Sequence, residues 1–338
     1  MEEKEEKVQT DEWLKNLPLQ SQNEGFKPEE MIACPQCERK NAPTRIKCLY
    51  CGAELPAVTE ISAVKHLSRK LEAWEKGFNI IFLPSGKNLN TENFGEIAKI
   101  LRLDKEDLQK IFETGKPLPL ACAESEAEAE IISKHLKEKG IDSIVLGGEK
   151  LEINKPARRL RGIEFFADKI ILILFNSDEI AEIACEDLFL IVSGAVFERK
   201  IEATQKRQRS KENKVLETTE LSTDELLIDI YSRRDTLGYR IEAKGFDFSC
   251  LASEKKLLAA QNMKNLLEKF HAVAPAAKFD TDYISVRAEL SRVWEVEQNT
   301  NSKGIQKKGF GQYNLESVTT INNLRQFTRY SRLRRNLL

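Results

Sequence analysis

Four of the seven cysteines stand in two close pairs, Cys34-Pro35-Gln36-Cys37 and Cys48-Leu49-Tyr50-Cys51, with ten residues between them. Thiolates at this spacing offer soft, charged donors from two tight turns. They suit a tetrahedral Zn2+ better than Mg2+ or Ca2+, which prefer oxygen. Cys34, Cys37, Cys48 and Cys51 are therefore the expected metal ligands, and Zn2+ the expected cofactor. With every coordination position taken by sulfur, the ion would hold structure and leave none for a reacting water. Cys122, Cys185 and Cys250 stand alone. An odd total with paired spacing suits a reducing compartment and a metal, not a disulfide framework. Isolated cysteines of this kind read as small buried apolar groups.

Other chemistry is sparse. The chain has no GxxxxGK[ST] and no GxGxxG after a strand, so it lacks the common phosphate cradles. Its three histidines, His66, His135 and His271, fall on separate expected helices with no nucleophile motif beside them. On these grounds the chain reads as no enzyme.

The elements that must hold the cysteines are short. Residues 31–56 cannot bury a core of their own, so the metal would replace one. Pro35 stiffens the first turn, and Gly52 follows the second, where backbone N–H groups turn toward sulfur and a side chain would obstruct. The stretch CPQCERKNAPTRIKCLYCGAELP resembles the short bacterial zinc ribbons that end in Cys-Gly-Ala-Glu-Leu-Pro. It is also similar to the Ran-binding-protein finger, in which an Asn, here Asn41, lies four residues after the second Cys. Members of that finger family bind single-stranded RNA by stacking, or bind ubiquitin. The family carries a Trp two residues before the first Cys, where this chain has Ile32.

The 338 residues, 41% hydrophobic and 32% charged, are enough for two or three ordinary cores. A formal net charge of -1 excludes a global basic field. The start, MEEKEEKVQTDEW, has no apolar h-region, and the longest apolar runs, Ile170–Phe175 and Leu188–Val192, are strand-length. The expected location is cytoplasmic.

The pattern predicts an α+β, multidomain chain. Residues 1–30 read as a disordered acidic leader, and 57–77 as a linker helix carrying Val64, Leu67, Leu71 and Trp74 at helical spacing. Residues 78–150 read as a small β-α-α-β-α-β domain, a three-stranded sheet under helices. This order resembles the C-terminal domain of the ribosomal stalk protein across FNIIFLPSGKN and AEAEIISKHLKEKGIDSIVL. Residues 147–157 form a linker.

From 156 to 298 period-two segments predict an antiparallel β domain, closed by a helix on Ala259, Met263, Leu266, Phe270 and Val273. The order resembles a pleckstrin-homology-like barrel, whose members bind phosphoinositides, peptides or proteins. Ser193-Gly194 reads as a turn or bulge. EATQKRQRSKENKVLETTELST (202–223) reads as a mobile surface loop with a basic run at Lys206, Arg207, Arg209 and Lys211. Residues 299–338 read as a basic amphipathic tail, opening with a polar loop at Asn299–Gly311. Its last segment sets Arg325, Arg329, Arg332, Arg334 and Arg335 among Leu324, Phe327, Tyr330, Leu333 and Leu337. Docking of that apolar stripe on the barrel ranks ahead of binding to an acidic partner, nucleic acid or membrane.

These features predict a zinc-ribbon adaptor or regulator that works by protein-protein interaction. The alternative is a nucleic-acid or ribosome-associated binder using Lys40, Arg45 and Lys47 with the arginine-rich tail.

Overall fold

The computed structural model describes residues 31–42, 45, 47–53, 55, 77–85, 93–208, 211–309 and 312–338. The expected leader over 1–30 lies outside them. So does the expected linker helix, His66 included, apart from Gly77. The chain divides into two compact units, Met1–Ala63 and Val64–Leu338. In the first, β1 (Ile32–Ala33) and β2 (Lys40–Asn41) form a short antiparallel pair, Ile32 opposite Asn41.

The second unit opens with the expected β-α-α-β-α-β order. Its elements are β3 (Phe78–Phe82), α1 (Phe94–Leu101), α2 (Lys105–Glu113), β4 (Pro119–Ala123), α3 (Glu126–Glu138) and β5 (Ser143–Gly147). Strand β3 sits between β4 and β5, antiparallel to both. Helix α1 buries Phe94, Ile97, Ala98, Ile100 and Leu101, and ends at Arg102 in the left-handed region. The Ser125 hydroxyl caps α3 by accepting from the Glu128 N–H at 3.3 Å.

The larger sheet starts with β6 (Arg158–Phe165), β7 (Lys169–Leu174) and β8 (Ile180–Ala184). It continues through β9 (Leu188–Gln208), β10 (Lys211–Ser232) and β11 (Tyr239–Glu242). Helix α4 (Ala259–Val273) then buries Met263, Leu266 and Phe270 against the inner face of these strands. The expected helix is therefore present, but the sheet is not a closed antiparallel barrel. It curls into a half-barrel, with strand order β13 (Glu297–Gly309), β14 (Gln312–Asn322), β9, β10, β11, β6, β7, β8. β11 pairs with β6 in parallel, and β12 (Lys278–Asp280) adds parallel to β9.

Two readings of loops are corrected. Residues 202–208 and 211–223 are the outer arms of β9 and β10, and residues 299–309 belong to β13 (Glu297–Gly309), which pairs with β14 (Gln312–Asn322). β14 also pairs with β9 from Asn322 opposite Glu198 to Gln312 opposite Gln208. The sequence hides these strands because their residues are polar on both faces: the described side chains there are exposed or half-buried, so no alternation develops.

Closer in, β9 and β10 are apolar on both faces for the opposite reason. Leu190, Val192 and Val196 enter one core with the three-stranded sheet, while Leu188 and Ile191 enter the core under α4. Leu227 and Tyr231 likewise part from Ile228 and Ile230. Gly194 is neither turn nor break, since it lies inside β9. A Cβ there would stand 2.6 Å from Phe327 and 2.7 Å from Tyr283.

Those rings belong to α5 (Tyr283–Leu290) and α6 (Leu324–Asn336). Helix α6 is covered on nearly every side. Phe327, Tyr330 and Leu333 are buried, and so are Gln326, Thr328, Arg329, Ser331 and Arg332. Docking, the first-ranked reading of this segment, is what the fold shows. The Arg332 guanidinium donates to the carbonyls of Leu151, Glu152 and Lys155, so the 147–157 segment is pinned. Arg334 pairs with Asp280 and Arg325 with Glu297. Beside α6, Arg240 makes a two-pronged pair with Asp229 at 2.7 and 2.8 Å and donates to the Thr328 hydroxyl at 3.0 Å. No helix among the described residues is long and apolar enough to cross a membrane.

Candidate metal centre

The two cysteine turns are built alike, residue for residue. In the first, the Glu38 N–H donates to the Cys34 carbonyl at 2.8 Å and the Gln36 N–H to the Cys34 sulfur at 3.4 Å. In the second, the Gly52 N–H donates to the Cys48 carbonyl at 3.0 Å and the Tyr50 N–H to the Cys48 sulfur at 3.4 Å. Cys34 and Cys48 also donate their own N–H groups to the carbonyls of Arg39 and Ala53, at 3.0 and 2.8 Å. Each turn ends in the left-handed region, at Glu38 (φ 56°) and Gly52 (φ 73°). Space around Gly52 is open, with nothing within 4 Å of an added Cβ. The glycine is thus needed for its backbone angle, and the expected obstruction by a side chain is absent.

Asn41 ties the turns together from inside. It is 2% exposed. Its amide donates to the Arg39 carbonyl at 2.8 Å and to the Cys48 sulfur at 3.4 Å, and its oxygen accepts from the Leu49 N–H at 2.9 Å. One side chain therefore fixes the approach of the second pair to the strand that carries it.

The result is convergence. Cys34 and Cys51 sulfurs lie 3.6 Å apart, Cys37 and Cys48 sulfurs 3.5 Å apart, and all four fall within 4.8 Å of one another. A tetrahedron with metal–sulfur bonds of about 2.3 Å has edges of about 3.8 Å, so the set fits a single ion. The electrostatics agree. For Cys48, burial works against ionisation, but N–H donors from Cys51 and Tyr50 and the Asn41 amide outweigh it and hold the thiol at about 6. For Cys37, the Arg39 backbone favours the thiolate, but burial and the neighbouring sulfurs prevail and push it to about 12. Adjacent thiolates oppose one another's ionisation, and a dication is the charge that would relieve this.

Lys40, Arg45 and Lys47 are all exposed. Their neighbours Leu49 and Tyr50, which cysteine spacing does not single out, are 61% and 54% exposed. The Arg39 guanidinium sits 4.8 Å from the centre of the Tyr50 ring. Leu49 and Tyr50 both occupy the middle of the tight turn between Cys48 and Cys51.

The remaining candidates stand apart from this cluster in the sequence. His135 is largely covered, not solvated, and its Nδ1 lies 3.6 Å from Glu138. His271 stacks on Phe279 at 3.5 Å. Cys122 is buried in β4. Cys185 and Cys250 are half-buried in short 3-10 turns, where burial pushes both thiols up, aided by Asp168 at Cys185 and opposed by Lys269 at Cys250. The arginine-rich tail does not form a free basic surface: Arg329 and Arg332 are 7% and 1% exposed. No family model, curated protein or solved structure matches the chain.

Proposed function

We propose that this is a non-enzymatic zinc-ribbon protein of the cytoplasm, an adaptor or regulator that works by binding a protein partner. The observation that carries the reading is the convergence of Cys34, Cys37, Cys48 and Cys51 within 4.8 Å. A set of four sulfurs leaves no open position for catalysis, so the ion serves shape. That shape presents Leu49 and Tyr50 to solvent on a segment too short to fold without metal. An aromatic side chain beside an aliphatic one on a rigid turn is the composition of an interface anchor. In this reading residues 31–56 are the ribbon, 78–150 a small packing domain, and 156–298 a pleckstrin-homology-like platform. The seven unpaired thiols suit a reducing compartment.

Metal analysis of purified protein should return one zinc per chain, lost in Cys34→Ser. In a pull-down, a specific partner recovered by the native chain should be lost with Tyr50→Ala while zinc content stays unchanged. Protein free of zinc, or recovery of the partner by Tyr50→Ala or Cys34→Ser equal to that of the native chain, would overturn the reading. A second reading, nucleic-acid binding by the ribbon, is favoured by the exposure of Lys40, Arg45, Lys47 and Tyr50. The buried Arg329 and Arg332 take no part in it.

A further inference from the structure

Strand β8 ends the order of the larger sheet, and no strand among the described residues pairs with its outer edge. Its pairing with β7 fixes which backbone groups that edge presents. The Leu174 N–H donates to the Glu179 carbonyl at 3.1 Å, and the Cys185 N–H to the Asp168 carbonyl at 2.8 Å. Antiparallel pairs alternate, and Ala181 stands opposite Leu172 and Ile183 opposite Ile170, so residues 181 and 183 turn their N–H and C=O groups toward β7. Ile180, Glu182 and Ala184 therefore turn theirs outward. The side chains of these three share one face, on which Ile180 and Glu182 are exposed. Ile183, on the other face, is buried in the core under α4. A trough of about 510 Å3 lies against this edge. Glu182, Ile183 and Ala184 line it from β8, and Arg158, Asp235 and Tyr239 from the starts of β6 and β11 and the turn before β11. Its cations are already held. Arg158 pairs with Asp235 and lies 4.1 Å from the centre of the Tyr239 ring, and Arg234, also in the lining, pairs with Asp187 at 3.0 Å. The trough is thus poorly suited to a phosphate or other small anion. It offers room beside a row of outward-facing backbone groups.

We propose that β8 accepts an extended peptide segment of a partner protein as an added strand, with a lysine or arginine of that segment opposite Glu182. Edge N–H and C=O groups are the donors and acceptors an added strand needs, and an extended chain carries matching groups at the same spacing. The five residues of β8 span about 17 Å at about 3.3 Å each, so the edge engages about five residues of peptide. A second copy of this chain is the poorer occupant. The antiparallel register of greatest overlap would set Glu182 against its own copy, and like charges directly opposite destabilise a sheet. The same carboxylate favours a basic residue from a different chain, and Ile180, two positions away on the same face, offers an apolar neighbour. Lys169 reaches Glu182 at 2.9 Å, but that exposed pair is weak enough for an incoming cation to share. The edge lies in the second unit and uses none of the ribbon residues. Loss of zinc, or of a partner that depends on Tyr50, leaves it standing.

Two measurements on the full chain test this. In the free protein, amide hydrogen exchange followed by NMR should be fast at Ile180, Glu182 and Ala184 and slower at Ala181 and Ile183. Selection from a phage-displayed library of random dodecapeptides should yield binders in which a lysine or arginine is flanked by β-branched residues. Ala184→Pro then blocks the edge alone. The φ of Ala184 is -63°, close to the value of about -65° that proline imposes, and its N–H faces outward, so pairing with β7 is kept. This variant should bind the selected peptides about tenfold more weakly, through loss of that donor, with thermal unfolding unchanged. Glu182→Lys should turn the selected charge from basic to acidic, and it serves as the test should the proline variant misfold. Cys34→Ser should bind the peptides as the native chain does. Slow exchange at all three outward amides would mean the edge is already covered. That result, a library that enriches no peptide, or binders indifferent to both Ala184→Pro and Glu182→Lys would each overturn the proposal.

Discussion

Glu38 and Gly52 occupy equivalent places in the two cysteine turns, yet only one is the residue that a positive φ favours. Gly52→Ala should therefore cost about 1 kcal/mol in ribbon stability, through backbone strain alone, because the added methyl meets open space. Glu38→Gly should be neutral or slightly stabilising, as relief of strain is offset by a more flexible unfolded chain. Competition with a zinc chelator reads both, and equal effects from the two would contradict the geometry. Asn41→Ala removes the amide that reaches the Cys48 sulfur and the acceptor for Leu49. Loss of such a supporting contact should lower zinc affinity roughly 10- to 100-fold. Unchanged affinity would show that the turns hold their approach without it.

Among the elements, β9 shows most clearly why a local pattern misleads. Ser193-Gly194 reads as a turn in one dimension, but in three it is the place where α5 and α6 press onto a continuous strand. Gly194→Ala should destabilise the second unit by about 1–3 kcal/mol through overpacking, read as a lower denaturant midpoint. The Asp229–Arg240 pair is buried at 1% and 7% side-chain exposure. Asp229→Ala leaves that guanidinium unpaired and should cost about 3–5 kcal/mol. Asp229→Ala combined with Arg240→Met should recover much of the loss, since an apolar pair of similar volume removes the stranded charge. A double variant no better than the single one would mean the pair also positions α6 through Thr328.

At the scale of the whole molecule, the last helix is structural filling between distant segments. It covers Gly194, meets Tyr283 by ring contacts at 4.9 and 5.5 Å, and caps carbonyls of residues 151–155. Removing residues 323–338 should not trim an appendage. It should abolish the cooperative unfolding transition of the second unit and expose apolar surface to a dye such as ANS. A truncated chain that melts like the native one would show that the other elements suffice.

What the chain of residues determined on its own was local. Cysteine spacing foretold the four converging sulfurs, because each pair is formed within one turn. Helical stripes and the β-α-α-β-α-β order were legible because each segment carries its own period. The tertiary structure alone decided the rest. The two polar segments became strands because β9 supplied a partner for β14 and β10, and backbone pairing does not require alternating side chains. The C-terminal arginines became interior because distant carbonyls and carboxylates were there to receive them. Such partners lie up to 181 positions away in the chain, beyond the reach of any local pattern.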